Sequence, residues 1–215
     1  MCGRFVMLTY DEVLEVVQCM ELKAPFNLDP DWPAVRPIAQ PGSTAPVVSV
    51  GEEGLVVQTY KWGFDRYWNK EITFNTRLET ALSPKPGIWK TPIKEGRCIV
   101  PVMAFFETHG SEMLTHPHGG KSIKRQYRFA SPDGHALLLA AVRNATSFSI
   151  VTTTPNRWVS PVHDRMPLVL KPEEVSIWLR GRYKRLPDRS DIALVAAPDD
   201  PAGYIAPPEQ QCLLI

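Results

Sequence analysis

The sequence predicts an α+β fold, a single domain over residues 1–215 built on a mainly antiparallel β-sheet with a few peripheral helices. Three observations predict it. Short apolar, β-branched runs recur between clusters of turn-forming residues along most of the chain. Helix signals are confined to a few brief segments, so helices cannot make up the core. Neither an internal repeat nor a low-complexity linker divides the 215 residues, a length compatible with one large domain.

The elements follow in order. Gly3 to Leu8 reads as a short apolar strand. Thr9 with Glu12 three positions on is a capping-box signature, and it opens a helix to about Met20 with Val13, Leu14, Val16 and Val17 apolar. Residues 24–46 carry six prolines and predict an extended, ordered loop. Val47–Val50 and Leu55–Lys61 form a hairpin around Gly51-Glu52-Glu53-Gly54. Ile72 to Asn75 is a strand followed by a short helix, and the prolines of 84–92 break the pattern. Arg97 to Phe106 is a buried strand, followed by a polar loop from about Thr108 to Lys121. Gln126–Ala130 and Ala136–Ala141 flank the turn Ser131-Pro132-Asp133-Gly134. Ser147–Thr153 and Leu168–Leu170 are strands. Pro172 at a first helical position, with Glu173 and Glu174 in the first turn, starts a helix to about Leu179 that Gly181 caps.

Composition narrows the function classes. An apolar fraction of 44% and a charged fraction of 22% are those of an ordinary soluble globular protein with an adequate core. No apolar run approaches the roughly 20 residues that span a bilayer, and no basic segment precedes an apolar stretch at the N-terminus; the expected setting is the cytoplasm, without a membrane partner. The four cysteines are widely spread and lack a C-x-x-C pair, so they read as free thiols. His116-Pro117-His118 is expected to be a turn, not a metal site, because no second ligand pair accompanies it. Net charge is only +1, but it is unevenly placed. Residues 1–60 hold three basic and eight acidic side chains, whereas residues 61–130 hold twelve basic and six acidic ones. A basic middle interleaved with Trp62, Phe64, Tyr67, Trp68, Phe74 and Trp89 suits a phosphate backbone and stacked bases. The same pattern suits a solvated surface over core aromatics.

The N-terminal Met1-Cys2-Gly3-Arg4 carries the most distinctive chemistry. Removal of Met1 leaves Cys2 with an α-amine and a thiol on adjacent carbons. The amine titrates near ~7.7–8.0 and the thiol near ~8.5, so both are usable nucleophiles around neutrality. An aldehyde condensed to an imine on the amine is then open to intramolecular closure by the thiol, giving a thiazolidine. Taken alone, Cys2 reads rather as the second residue of a buried strand.

The ordered set of motifs decides between those readings. Met1-Cys2-Gly3-Arg4-Phe5, Trp62-Gly63, Phe74-Asn75-Thr76-Arg77 with Glu79-Thr80, Arg97-Cys98-Ile99-Val100-Pro101, Phe105-Phe106-Glu107, Ile150-Val151-Thr152-Thr153 and His163-Asp164-Arg165-Met166-Pro167 follow one another in this chain. Together they resemble the SOS response-associated peptidase family, also called abasic-site processing proteins, over most of residues 1–170. The chain departs from the family pattern at Pro37, Ala104 and Thr108, where an asparagine, a glycine and a tryptophan are usual.

The resemblance implies a compact, barrel-like β-rich domain with a basic groove leading to the N-terminus. It implies a shield for abasic sites in single-stranded DNA, acting as a monomer and without metal or organic cofactor. Cys2 is then the covalent nucleophile. Glu107, at the end of an apolar strand where desolvation raises a carboxyl pKa, handles protons on the amine and sugar. His163 is the general acid, or else a structural histidine held by Asp164. Asn75 orients Cys2 with a neutral amide, or else ends a strand. Arg4 and Arg77 hold phosphates in bidentate fashion, or else pair with Glu79 or Asp164. Arg165 is a further phosphate contact or a structural Asp-Arg pair. Trp62 and Trp68 stack on bases or belong to the core.

Two other classes compete. Class II glutamine amidotransferases also begin Met-Cys-Gly, and their Cys2 attacks an amide. They usually continue with an aliphatic residue where this chain has Arg4, and their Asn-Gly oxyanion segment has no counterpart here. A non-catalytic reader of modified or single-stranded DNA is the third class.

Overall fold

Alternate residues of the central strands point to two different cores, and that alternation builds the molecule. The structure, a computed structural model, describes residues 2–20, 37–52, 54–65, 71–186 and 188–206. Fourteen strands run in chain order among them: β1 Arg4–Met7, β2 Ile38–Ala39, β3 Thr44–Val50, β4 Leu55–Trp62, β5 Phe64–Asp65, β6 Ile72–Thr73, β7 Asn75–Arg77, β8 Arg97–Leu114, β9 Ile123–Ala130, β10 Leu137–Arg143, β11 Ser147–Thr153, β12 Met166–Pro167, β13 Val169–Leu170 and β14 Val195–Pro198. The helices are α1 Tyr10–Cys19, α2 Leu78–Leu82, α3 Lys90–Glu95 and α4 Val175–Arg180. None is long and apolar enough to cross a membrane.

Five strands close into a ring. β8 pairs antiparallel with β10 and with β3, β10 with β11, and β3 with β4; the circle is completed by a parallel β4–β11 contact. Closure removes the exposed edges that would otherwise template aggregation. Cys98, Val100 and Val102 of β8 join Val47, Trp62, Leu139, Ala141, Phe148 and Ile150 in a core that draws on all five ring strands and no helix. Ile99, Val48, Val57, Leu138, Ala140 and Val142 face the other way, against Val13, Val17, Leu78, Ile93, Val175 and Trp178 of the four helices. The helices therefore pack on the outside of the ring.

Local sequence accounts for the elements. At the N-terminus of α1, the Thr9 hydroxyl accepts from the Glu12 N–H and the Glu12 carboxylate accepts from the Thr9 N–H. After α4, Gly181 adopts φ 131°, the left-handed conformation only glycine takes without strain. The hairpin turns at Gly51–Gly54 as expected, with the Gly51 N–H donating to the Gly54 carbonyl at 2.6 Å.

Three expectations are corrected. β8 does not end at Phe106 but continues to Leu114, because β9 pairs with it from Phe105 to Leu114 across a register shift between Thr108 and Met113. The polar loop is correspondingly shorter. Pro92 lies inside α3, in its first turn, where a missing N–H costs no helical hydrogen bond. β14, absent from the sequence reading, pairs antiparallel with β9. The first part of the proline-rich stretch, to residue 36, lies outside the described residues.

Candidate active site

Pairing places the residues of the N-terminal motif. Arg4 stands opposite Phe106 and Phe5 opposite Phe105, so the chain ahead of β1 runs along the β8 segment that holds Glu107. Cys2 is fully buried, with 0% exposure, in the inner core. Its S–H donates to the Arg4 carbonyl at 3.4 Å. Burial, reinforced by the Glu107 charge, pushes the thiol well above the ordinary range, so it is held as S–H and not as thiolate.

Glu107 is 1% exposed. Burial raises its carboxyl to about 7, and its charge in turn raises the Cys2 thiol. Cys2 and a carboxyl that exchanges its proton near neutrality are therefore neighbours. His163 approaches the same carboxyl, with Nε2 3.8 Å from Glu107 Oε2. The loop bearing it is fixed by the Gly110 N–H donating to the Val162 carbonyl at 3.0 Å, and by the His163 N–H donating to Val159 at 3.0 Å.

The imidazole has two candidate partners at Nδ1. The Arg165 N–H donates to it at 2.9 Å, and Asp164 Oδ1 lies 3.0 Å away. A ring nitrogen that accepts from an amide cannot also donate to a carboxylate. Burial holds the imidazole below its ordinary pKa, Asp164 opposing the shift, so the neutral ring accepts at Nδ1 and carries its proton at Nε2, toward Glu107. At 3.8 Å and with the ring neutral, the Glu107–His163 contact is neither a hydrogen bond nor a fixed ion pair.

Asn75 completes the group. β7 runs parallel to β11, with Asn75 opposite Ile150, and this brings Asn75 Nδ2 to donate to the Cys2 carbonyl at 2.8 Å. Its Oδ1 is buried and accepts no hydrogen bond among the described residues. The structure thus brings Cys2, Asn75, Glu107 and His163 together from positions far apart in the chain.

The arginines separate. The Arg4 guanidinium lies over the Phe106 ring, 4.1 Å from its centroid, and pairs with Asp199 just beyond β14. Arg77 is exposed at the end of β7 and forms no ion pair among the described residues. Arg165 is 8% exposed, with Nη1 and Nη2 on the two Glu79 oxygens at 2.9 and 3.0 Å and Nη2 also donating to the Thr152 carbonyl at 2.9 Å. A guanidinium so fully engaged is a structural clamp, which corrects the expected phosphate contact. Trp62 is likewise corrected: it has no exposed surface, packs between Phe5 and Phe148, and donates from Nε1 to the Phe74 carbonyl at 2.9 Å. Trp68 lies outside the described residues.

A surface cavity of about 240 Å³ lined by Gly3, Arg4, Gln40, Phe106, Thr108 and Gln126 opens beside the N-terminal strand. A larger one, about 440 Å³, lies between α1 and the outer faces of β8 and β10 and contains none of these residues, so its size carries no functional argument. Two residues escaped the sequence reading. Asp199 partners Arg4 through an edge strand without alternation. Asn156 staples the histidine loop, donating to the carbonyls of Arg189 at 3.1 Å and Ile192 at 2.8 Å and accepting from Trp158 and Val159.

Residues 1–202 match the family SOS response associated peptidase (SRAP), and the chain belongs to that family. Its relatives include abasic site processing protein YedK of Escherichia coli, 28% identical over 189 residues, covering 84% of this chain and 80% of YedK. Abasic site processing protein YoqW of Bacillus subtilis is also 28% identical, covering 85% of this chain and 81% of the relative. The fold is that of a Bordetella bronchiseptica crystal structure with TM-score 0.69 and 20% identity, covering 93% of this chain and all 100% of the other.

Proposed function

We propose that the protein captures abasic sites in single-stranded DNA as a thiazolidine on Cys2, after removal of Met1. The observation that carries this reading is the convergence on buried Cys2 of Asn75, whose Nδ2 donates to the Cys2 carbonyl at 2.8 Å, and of Glu107, a carboxyl raised to about 7. Once Met1 is gone, the Cys2 nitrogen is the α-amine, and Glu107 is the group that takes its proton. The names of the relatives supply the substrate class.

The steps balance without a cofactor. The ring-opened sugar presents an aldehyde at C1′. The neutral amine adds to it, His163 Nε2–H protonates the departing oxygen, and water leaves to give an imine. The Cys2 sulfur then adds to the same carbon, its proton passing to the imine nitrogen, and the five-membered ring closes. Because the thiol is held protonated by burial, amine attack precedes sulfur attack. The Asn75 hydrogen bond to the Cys2 carbonyl holds the residue in place for both. At the imine stage, loss of a C2′ proton would break the C3′–O bond, so strand cleavage is the expected side reaction. Met1 removal is carried out by an aminopeptidase or by self-cleavage at the same residues. The DNA approaches over Arg77 and Arg4, and the reaction belongs in the cytoplasm, where the chromosome of a bacterial relative lies.

Intact mass spectrometry tests this reading. The purified protein is measured before and after incubation with a single-stranded oligonucleotide carrying one abasic site. The expected result is loss of the Met1 mass and a denaturation-resistant adduct equal to protein plus DNA minus one water, absent in Cys2→Ala. Processed protein that forms no adduct would refute the reading.

A further inference from the structure

We propose that Glu79 is a positioning residue for this site: through its paired contact with Arg165 it fixes which nitrogen of His163 carries the proton and locks the histidine loop to the strand bearing Asn75 and Arg77. The inference rests on the functional reading above only for its kinetic consequence; its geometric part stands independently.

Glu79 is the second residue of α2, two positions after Arg77 at the end of β7. Both Glu79 oxygens engage the Arg165 guanidinium, Oε1 with Nη1 at 2.9 Å and Oε2 with Nη2 at 3.0 Å. The same Nη2 donates to Thr152 Oγ1 at 3.3 Å and to the Thr152 carbonyl at 2.9 Å on β11, the strand whose Thr152 stands opposite Arg77. One guanidinium therefore joins three segments: α2, β11 and the histidine loop. Its backbone does the rest, because the Arg165 N–H donates to His163 Nδ1 at 2.9 Å. The side chain of Arg165 is anchored, so its amide is anchored, and so the histidine is held as the Nε2–H tautomer facing Glu107.

The charge balance makes Glu79 the weak point of the clamp. The guanidinium is buried while the Glu79 side chain is 58% exposed. A buried cation that loses its counter-charge cannot remain dry; it turns outward to water and takes its backbone with it. The groups facing the ring then decide its state. Among the described residues they are Glu107 from β8, Asp164 from the loop itself and Lys124 from β9. With the Arg165 amide displaced, Nδ1 is free to donate to Asp164, 3.0 Å away. That contact favours the Nδ1–H tautomer and the protonated ring, and both turn the acidic proton away from Glu107.

The test compares wild type with Glu79→Gln and Glu79→Asp, using histidine labelled with 15N. In wild type, His163 Nδ1 is expected to give a pyridine-type signal at neutral pH. In E79Q that signal moves toward pyrrole type, and the titration midpoint of His163 rises. Adduct formation with the abasic oligonucleotide slows by about tenfold or more, the scale at which misplacement of a reacting group acts. Affinity for an undamaged oligonucleotide holds or tightens, since a negative charge is lost. E79D, which keeps the carboxylate, restores most of the rate. Unchanged His163 signals in a folded E79Q would overturn the proposal and reduce the pair to a surface brace. Loss of rate in step with loss of affinity would also overturn it. If E79Q fails to fold, Arg165→Lys, which keeps the charge but not the fork, is expected to give the same tautomer change. The nuclear magnetic resonance experiment needs no DNA, so a wild-type protein that forms no adduct would refute the functional reading and leave this one decided on its own signals.

Discussion

Replacing Glu107 by glutamine isolates the energetic cost of the candidate base. In the folded protein its carboxyl titrates at about 7, against 4.5 ordinarily, and burial is the main cause. The folded state thus holds its proton more tightly than the unfolded chain. Between pH 4.5 and about 7 the unfolded chain has released the proton and the folded state still binds it, so stability falls as pH rises across that window and levels off above it. Each pH unit is worth about 1.4 kcal/mol, and the full displacement therefore costs about 3 kcal/mol once the carboxylate is ionised in both states. Glutamine has nearly the same shape and never ionises. Glu107→Gln should accordingly match wild type near pH 4.5 and exceed it by about 3 kcal/mol above pH 8, or roughly 6–12 °C in Tm for a chain of this size. Thermal unfolding followed by circular dichroism at half-unit steps from pH 4.5 to 9 measures the difference. A constant offset across that range would refute the reasoning, because it would mean that the carboxyl titrates alike in the folded and unfolded states.

Asp199→Asn removes the carboxylate that occupies Arg4. Affinity for single-stranded DNA, measured by fluorescence anisotropy, should rise up to about fivefold, the scale of a part-exposed ion pair, and the slope of log K against log salt should steepen by about 0.7 as one more phosphate is neutralised; the gain should vanish in an Arg4→Ala background. Trp62→Ala empties a fully buried ring position and should cost about 3–5 kcal/mol in urea unfolding, while releasing the Phe74 carbonyl beside Asn75. Thr9→Ala removes half of the α1 capping box and should cost about 1 kcal/mol by the same assay, with adduct formation unchanged because α1 packs on the outer core.

The sequence made the local decisions visible and concealed those made at a distance. The cap at Thr9 and Glu12, the Gly51–Gly54 turn and the Gly181 stop are each encoded within a few residues, and each appears where the chemistry puts it. The far half of β8 was hidden because His109, Gly110, Ser111 and Glu112 are polar and fall in the register shift between Thr108 and Met113; pairing with β9 resumes only at Met113, and the Gly110, Ser111 and Glu112 N–H groups donate to the Val162 carbonyl and to His109 Nδ1, contacts that apolar patterning cannot announce. The site shows the same division more sharply. Cys2 and Glu107 were legible because an N-terminal aminothiol and a carboxyl closing an apolar run are unusual on their own terms. Arg165 was open to either reading because its fate depends on Glu79, 86 positions away, and an arginine with a carboxylate partner within the fold is chemically identical in sequence to one that waits for a phosphate. Trp62 was open to either reading for the same reason: an aromatic ring becomes a platform or a core element according to what covers it. What the ring of strands adds is therefore selection. It takes a group of arginines and aromatics equally suited to DNA, commits Arg165 and Trp62 to holding the site together, occupies Arg4 with an internal carboxylate, and leaves Arg77 exposed. Under the proposed function, an incoming phosphate would meet Arg77 first and would compete with Asp199 for Arg4, the arginine nearest Cys2 in the chain, before the sugar reached Cys2.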